Sequence, residues 1–314
     1  MFLDNFYRAR KREKVKILIS GSSGLVGSSL IPLLNYNNYE VLRLVRFQPT
    51  TENEIQWLPD QNQINLSPSD QIDAVVHLAG ESIADRWNEE KKNKIRESRI
   101  KGTKLISDTI SQLEQKPKVF ISASAIGYYG DRGNEILTED STPGDDFLAH
   151  VCRDWETACL SASDNGIRSV QLRFGVILSP DGGALAKMLP VFRLGQGGKL
   201  GHGRQYMSWV SLEDVIHIID YVLRTDTLHG PVNVVAPNPV TNSEFTNTLG
   251  RVLRRPTIVP GFLGQLATSV LFGQMSEALL LASQRVEPIR LNDSGYSFQY
   301  QTLESALRQI LRPQ

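Results

Sequence analysis

The chain has 314 residues, of which 40% are hydrophobic and 22% charged, an ordinary composition for a soluble globular protein. Its 34 basic and 34 acidic residues cancel, which excludes a general charge attraction to nucleic acid or to an acidic membrane surface. The two cysteines, Cys152 and Cys159, lie on one predicted helix about 10 Å apart, too far to bridge. We therefore expect a reducing, cytoplasmic compartment, with neither nucleic acid nor membrane as a partner.

Residues 1–14 form a basic N-terminal extension without the apolar core of a secretory signal. Further along, apolar runs typical of parallel strands occur at Val15–Ser20, Val41–Val45, Ala74–Leu78, Val119–Ser122 and Ser169–Phe174. Helical patterns fill the intervals at Leu25–Leu34, Glu89–Leu113 and Phe147–Ser163. This alternation predicts an α/β fold, a Rossmann doubly wound parallel sheet with helices on both faces.

The strand–helix rhythm ends after Gly175. We assign 15–178 to a cofactor-binding domain to which 208–236 returns, and 179–207 with 237–314 to a smaller, mostly helical C-terminal substrate lobe. Within that lobe, 261–282 is rich in Leu, Ala and Phe but interrupted by polar residues, which indicates core or interface helices rather than a membrane span. Ligands of such folds bind between the lobes, at the carboxyl ends of the strands.

Three glycines separate the first strand from the first helix, with the spacing G-x-x-G-x-x-G. Gly21 lets the chain turn sharply, Gly24 lets backbone N–H groups approach a pyrophosphate, and Gly27 lets the helix pack closely. The whole loop is predicted to bind the cofactor: Gly21, Ser22, Ser23, Gly24, Leu25, Val26 and Gly27. The alternative is a tight strand–helix turn with no ligand.

The second strand indicates which dinucleotide binds. NAD sites place a carboxylate near the end of this strand to hold the ribose hydroxyls, whereas Arg46 stands there in this chain and Arg43 comes three residues earlier. A guanidinium suits a 2′-phosphate, which a carboxylate would repel. NADP(H) is therefore favoured over NAD(H), unless both arginines are only exposed charges at the strand end.

Further motifs resemble the short-chain dehydrogenase/reductase superfamily in its extended, sugar-nucleotide epimerase-like form. His77–Gly80 resembles the segment beside the adenine ribose, and Ser122–Ala125 with Tyr128–Gly130 resembles the serine-strand motif. The resemblance adds Leu78, Ala79, Gly80 and Ser122 to the predicted cofactor site.

More closely, the chain resembles an atypical subgroup called epimerase family proteins, which also carries a "cell division inhibitor" label. The shared sequence motifs include Leu78–Ile83, Arg86-Trp87, Trp155-Glu156 and the C-terminal Arg255-Pro256-Thr257. The resemblance implies a nucleotide-binding protein with a C-terminal domain of the subgroup's own.

The catalytic residues depart from the superfamily. Its Tyr-x-x-x-Lys pair, which moves the proton that accompanies hydride transfer, is replaced by Leu148 and Cys152. The residues expected to form a rearranged site are Ser124, Tyr128, Tyr129, Cys152 and Arg99. Each also has an ordinary interpretation: a buried cysteine, core or rim tyrosines, and an arginine paired on a helix face.

Candidate substrate contacts are Glu81, Arg86, Trp87, His202 and Arg204; the last two stand in a glycine-rich loop, where binding groups are common. The scattered histidines and cysteines show no metal-ligand spacing, so we expect no metal. Two functions fit: an NADP(H)-dependent oxidoreductase or epimerase acting on a small polar substrate, and an NADP-binding regulatory or sensor protein with altered chemistry. A homodimer through the helices at 89–113 and 147–163 is also expected from related folds.

Overall fold

The computed structural model describes residues 14–257 and 281–312. Its centre is an eight-stranded sheet with the order β12-β8-β6-β5-β1-β2-β3-β4. All neighbours are parallel except β3 and β4, which form an antiparallel edge. The strand order reverses at β1, which lies between β2 and β5. Ligands of doubly wound sheets bind at such a reversal.

The strands are β1 Lys16–Ser20, β2 Glu40–Val45, β3 Glu54–Leu58, β4 Gln63–Ile64, β5 Ala74–His77, β6 Val119–Ala125, β7 Ile136–Leu137, β8 Arg168–Phe174, β9 Val176–Leu178, β10 Tyr206–Met207, β11 Trp209–Ser211, β12 Gly230–Val234, β13 Val240–Thr241 and β14 Arg285–Val286. The α-helices of the described residues are α1 Leu25–Tyr36, α2 Glu89–Ser111, α3 Phe147–Thr157, α4 Leu160–Asp164, α5 Gly183–Arg193, α6 Leu212–Arg224, α7 Asn242–Leu253, α8 Ile289–Asp293 and α9 Leu303–Ile310. None of these helices is long and apolar enough to cross a membrane.

Alternation along the strands divides the core into two layers. Ile17 and Ile19 of β1 face α1 and α6, whereas Leu18 between them faces α2 and α4. A third cluster, built from α5, α7 and α9 around Trp209 and Phe245, forms the core of the C-terminal part. The Rossmann sheet expected from the sequence is confirmed.

The predicted elements differ from the structure mainly in the second half. The helix expected over 147–163 is two helices, because the chain bends at Ala158 and Cys159 before α4 begins. Three short strand pairs were not predicted: β9 with β11, β7 with β14, and β10 with β13. Pairs of two or three residues carry no periodic signal, so a sequence pattern cannot reveal them.

Several predictions fall on residues outside the described part. The basic extension, except for Lys14, and most of the apolar stretch 261–282 belong to them. The homodimer expected through α2 and α3 stays a prediction.

Candidate active site

The glycine loop between β1 and α1 is packed against backbone on two sides. Gly21 has φ +71°, and a Cβ there would lie 2.7 Å from the Ala79 nitrogen. A Cβ on Gly27 would lie only 2.3 Å from the Gly21 carbonyl oxygen, against 3.3 Å for one on Gly24. Gly21 and Gly27 are therefore required by the fold of the loop itself. Gly24 is the position where a side chain could be carried at little cost to the fold.

The N-terminus of α1 is open to an anion. Gly24, the residue before the helix, supplies no side-chain cap, and the first turn carries no acidic residue. The first amides of a helix lack internal partners, and the helix dipole favours negative charge there. Gly182 packs beside Leu25 at the start of this helix, since a Cβ on Gly182 would lie 3.1 Å from the Leu25 side chain. These features fit the pyrophosphate of a dinucleotide.

The two arginines of the second strand have different environments. Arg43 donates to Glu54 on β3 at 2.8 Å, and the Glu54 carboxylate is almost fully buried. Because the pairing with Glu54 uses only Nη2 of Arg43, the assignment of Arg43 to a 2′-phosphate stays a prediction. Arg46, directly after β2, is exposed and makes no ion pair with the described residues. Arg46 is therefore the guanidinium available to a phosphate.

The segment after β5 is fixed to the glycine loop by a buried pair. The Ser20 Oγ and His77 Nδ1 lie 2.5 Å apart, and the Ser20 hydroxyl oxygen accepts from the amides of Leu78 and Ala79. Because burial lowers the pKa of His77 to about 3, the ring is neutral. His77 thus holds Leu78, Ala79 and Gly80 in place beside Gly21, and is not a base.

Arg99 of α2 extends to the end of this segment. Its Nη1 donates to the carbonyl oxygens of Glu81 and Ile95 at 3.0 and 3.1 Å. A Cβ on Gly80 would lie 3.3 Å from the Arg99 Cζ, and the guanidinium lies 5.0 Å from the Trp155 ring centroid. Burial lowers the pKa of Arg99. A half-buried cation thus stands between the cofactor segment and α3.

Beyond Arg99, the site contains a second arginine that sequence analysis missed. Arg173 of β8 is nearly fully buried and binds both carboxylate oxygens of Glu156 at 2.8 Å. Although burial opposes the charge, the bonds and charge of Glu156 outweigh it and raise the pKa of Arg173. The Ser124 hydroxyl donates to the same carboxylate at 2.7 Å. Ser124, which is 2% exposed, is therefore not free to bind a substrate oxygen, contrary to expectation.

The two tyrosines after β6 differ in the same way. Tyr129 is fully buried, donates to Asn233 Oδ1 at 2.7 Å and accepts from Arg173 at 2.9 Å. Burial raises its pKa to about 12, so its predicted catalytic role is corrected to a structural one. Tyr128 is half-buried, with Arg173 3.6 Å from its ring centroid. Its hydroxyl has no hydrogen bond within the described residues, which leaves Tyr128 as the candidate proton donor.

Two further predicted residues are interior. Cys152 is buried, and this burial raises the pKa of its thiol to about 12, against the opposing charge of Arg99. A thiol of that kind is neither a nucleophile nor a proton donor at neutral pH. Ser122 is fully buried and donates to the Ala123 carbonyl. Its side chain is thus removed from the predicted cofactor site.

The predicted substrate contacts lie on two loops. Glu81 is bound by Lys91 at 2.7 Å, and Trp87 donates to the Ile83 carbonyl while its ring packs edge-on against Phe147. Trp87 is half-buried against Phe147, whereas Arg86 is exposed. His202 and Arg204 are also exposed, on the loop before β10, where the His202 ring accepts from the Arg204 amide at 3.0 Å.

Comparison with known proteins places this site in a family. Residues 17–236 match the NAD dependent epimerase/dehydratase family, and residues 259–310 match a domain of unknown function, DUF1731. The chain belongs to the NAD-dependent epimerase/dehydratase family. Within that family it is an atypical short-chain dehydrogenase/reductase of the epimerase family protein type.

Relatives cover nearly the whole chain. Epimerase family protein Mb2239 of Mycobacterium bovis is 41% identical over 292 residues, 93% of this chain and 96% of the relative. The structure of human epimerase family protein SDR39U1 with NADPH has a TM-score of 0.86 at 34% identity and covers 94% of this chain and 98% of its own. A nucleoside-diphosphate sugar epimerase from Corynebacterium glutamicum has a TM-score of 0.77 at 38% identity, covering 95% of this chain and 58% of its own. The NADPH in the human structure agrees with a nucleotide cofactor site in this chain.

The family's ordinary proton relay is missing from the geometry as well as from the sequence. Leu148 and Cys152 are both buried, and both line the position of Gly127. The charged residues that act on the Cys152 thiol are Arg99 and the Arg173–Glu156 pair. The sequence signal for Arg173 was weak, because its strand also holds Arg168 and Gln171. No group of His, Cys, Asp and Glu suited to a metal occurs in 14–257 or 281–312.

Proposed function

We propose that this protein binds NADP(H) and uses it for reversible hydride transfer to a small polar substrate, as an oxidoreductase or epimerase. The observation that carries the proposal is the open N-terminus of α1 beside a free Arg46, since the first suits a pyrophosphate and the second a 2′-phosphate. The NADPH bound to human SDR39U1 supports the same cofactor. When bound, the nicotinamide supplies or accepts the hydride.

The residues around the site divide into those that would hold the cofactor and those that would act on the substrate. Gly21 and the Ser20–His77 pair fix the backbone of the glycine loop and of the segment after β5. Tyr128 carries the only phenol hydroxyl of the turn Ile126–Tyr129 that is not already hydrogen-bonded. We assign to Tyr128 the proton exchanged with a substrate oxygen, and to the Arg173 guanidinium under its ring the stabilisation of negative charge on that phenol.

Turnover is tested in two ways: NADPH oxidation is followed with a panel of ketones and quinones, and formation of the epimer is followed by chromatography with NADP+ and a panel of nucleotide sugars, because an epimerase returns the hydride and leaves no net oxidation of the cofactor. We expect turnover with a member of the panel and a loss of at least tenfold in kcat for Tyr128→Phe, with NADPH affinity unchanged. Tyr221→Phe, which removes a hydroxyl bonded to the Ser294 carbonyl, is the control. NADPH binding without turnover across the panel would count against the enzyme.

A second function is favoured by one observation: Ser124 and Tyr129 are tied into the buried Glu156–Arg173 network. A protein that kept the cofactor cradle and converted its catalytic groups to structural ones would act as an NADP(H)-dependent regulator. Affinity capture with and without NADPH distinguishes the two, because a regulator changes its partners with the cofactor, whereas an enzyme has no such requirement.

A further inference from the structure

The candidate site contains one arginine that is in an ion pair and one that is in no ion pair with the described residues. Arg173 is bonded to both oxygens of Glu156. Arg99, which is half-buried, makes its two hydrogen bonds to neutral backbone carbonyls and pairs with no carboxylate of the described residues. Removing a cation from water without a counter-charge is unfavourable. The difference therefore requires an explanation.

The neighbouring carboxylates are already occupied. Glu81, whose carbonyl Arg99 contacts, directs its carboxylate to Lys91, which also holds Asp85 at 2.8 Å. Glu156, one residue after the Trp155 that lies against Arg99, is taken by Arg173 and Ser124. The nearby Cys152 thiol remains neutral because burial raises its pKa to about 12. Arg99 therefore forms no ion pair with a described carboxylate, and the charge of Glu81, which raises its pKa, does not outweigh the opposing effect of burial.

The guanidinium is held in place with one edge available. A Cβ on Gly80 would lie 3.5 Å from both Nη1 and Nη2, so the flat face of the guanidinium lies against that backbone, and Trp155 packs on it as well. Both hydrogen bonds come from Nη1, which leaves the N–H groups of Nη2 and Nε. Among the described polar atoms that are buried without a partner, none belongs to Arg99. Its free N–H groups therefore reach solvent.

We propose that Arg99 is an anion-binding residue of the cleft and pairs with an oxyanion, a carboxylate or a phosphate, of the ligand bound beside Gly80. A fixed guanidinium edge with adjacent N–H donors matches the two oxygens of such a group. The inference rests on the proposed NADP(H) binding, because it makes the cleft beside the cofactor selective for anionic ligands. The oxyanion comes from the substrate or from the diphosphate of the cofactor, and α1 and Arg46 already serve the cofactor's phosphates.

Binding measurements on the full-length wild type, Arg99→Gln and Arg99→Lys test the proposal. The control is Arg96→Gln on the same helix, which removes an exposed arginine paired with Asp154. One arm measures the NADPH dissociation constant by tryptophan fluorescence. The other measures the melting shift caused by sodium phosphate or sodium acetate at constant ionic strength, with and without saturating NADPH.

We expect Arg99→Gln to lose at least half of the anion-dependent melting shift in NADPH-saturated protein, with NADPH affinity within about twofold of wild type, which locates the oxyanion on the substrate. A loss of tenfold or more in NADPH affinity, without that change, locates it on the cofactor. Arg99 does not bind an anion if both responses equal those of the wild type and Arg96→Gln.

Two outcomes are kept separate from these. Wild-type protein that fails to bind NADPH overturns the proposed function, whereas the phosphate response of wild type against Arg99→Gln without cofactor still tests Arg99. If Arg99→Gln does not fold, Arg99→Lys decides, because lysine keeps the charge but not the two-pronged geometry. A response reduced about threefold supports the proposal, and an unchanged response contradicts it.

Discussion

The candidate site has a cofactor end, formed by the glycine loop and Arg46, and a chemical end around Glu156 and Arg173, and the two differ in how their polar groups are used. At the cofactor end, the α1 N-terminus has no side-chain cap and Arg46 has no partner among the described residues. At the chemical end, the hydroxyls of Ser124 and Tyr129 are already hydrogen-bonded to Glu156, Arg173 and Asn233. The groups suited to bind a dinucleotide thus have no partner among the described residues. The groups that resemble the family's catalytic residues are hydrogen-bonded within the fold. Groups already bonded inside the fold stabilise it but cannot also bind a ligand.

The largest effect is expected from breaking the network at the chemical end. Glu156→Gln leaves Arg173 buried without its counter-charge, which should lower the free energy of unfolding by about 3–5 kcal/mol. Denaturant unfolding measures this. The control is Asp154→Asn on the same helix, which removes an exposed pair with Arg96 and should cost less than about 1 kcal/mol. Equal losses for the two variants would show that the network is not a stabilising unit.

The cofactor end is tested by a pair of glycine substitutions. Gly27→Ala places a Cβ 2.3 Å from the Gly21 oxygen, so it should destabilise the fold by about 1–3 kcal/mol and abolish NADPH binding. Gly24→Ala, whose Cβ would lie 3.3 Å from the same oxygen, should keep the fold and weaken NADPH binding, because a glycine at this position lets a pyrophosphate come close to the backbone amides. Denaturant unfolding and NADPH titration of both variants give the comparison. Normal NADPH affinity in Gly27→Ala would contradict the described loop.

A smaller effect concerns pH. His77 has its pKa lowered to about 3 from 6.5 by burial, so between these values the unfolded chain binds a proton that the folded one does not. Stability should therefore fall as pH falls below 6.5, by about 2 kcal/mol between pH 7 and pH 5.

Unfolding free energies at several pH values check this. His77→Asn should remove most of the pH dependence. Ser20→Ala, which leaves the ring buried but removes its hydrogen bond and the acceptor of the Leu78 and Ala79 amides, should keep it. The same slope in wild type and His77→Asn would mean that another group titrates.

The smallest effects separate the two adjacent tyrosines. Tyr129→Phe removes the hydroxyl that donates to Asn233 Oδ1 and accepts from Arg173 Nη1. It should cost about 1–3 kcal/mol of stability. Tyr128→Phe keeps the ring on Arg173 and should change stability by less than about 0.5 kcal/mol. Thermal unfolding of the two variants tests whether the Tyr128 hydroxyl lacks a hydrogen-bond partner. A similar loss of stability in both variants would show that Tyr128 has one.

The sequence predicts the cofactor end because its determinants are local. The glycine spacing, the adjoining strand and Arg46 lie within one strand–helix–strand unit, where chain order dictates proximity. The chemical end is built from residues distant in sequence: Tyr129 and Asn233 are 104 positions apart, and Ser124 and Glu156 are 32 apart. A motif names Ser124 and Tyr129 but cannot tell that their hydroxyls are already bonded. The partners of Arg173 and the missing partner of Arg99 depend on the packing of α2, α3 and β8, which no spacing encodes.

The most direct test of the account is a parallel titration of NADPH and NADH into wild type and Arg46→Glu, followed by tryptophan fluorescence. We expect the wild type to bind NADPH about tenfold or more tightly than NADH, and we expect Arg46→Glu to lose this preference because only NADPH binding weakens. Absence of measurable binding of either dinucleotide to the wild type would contradict it.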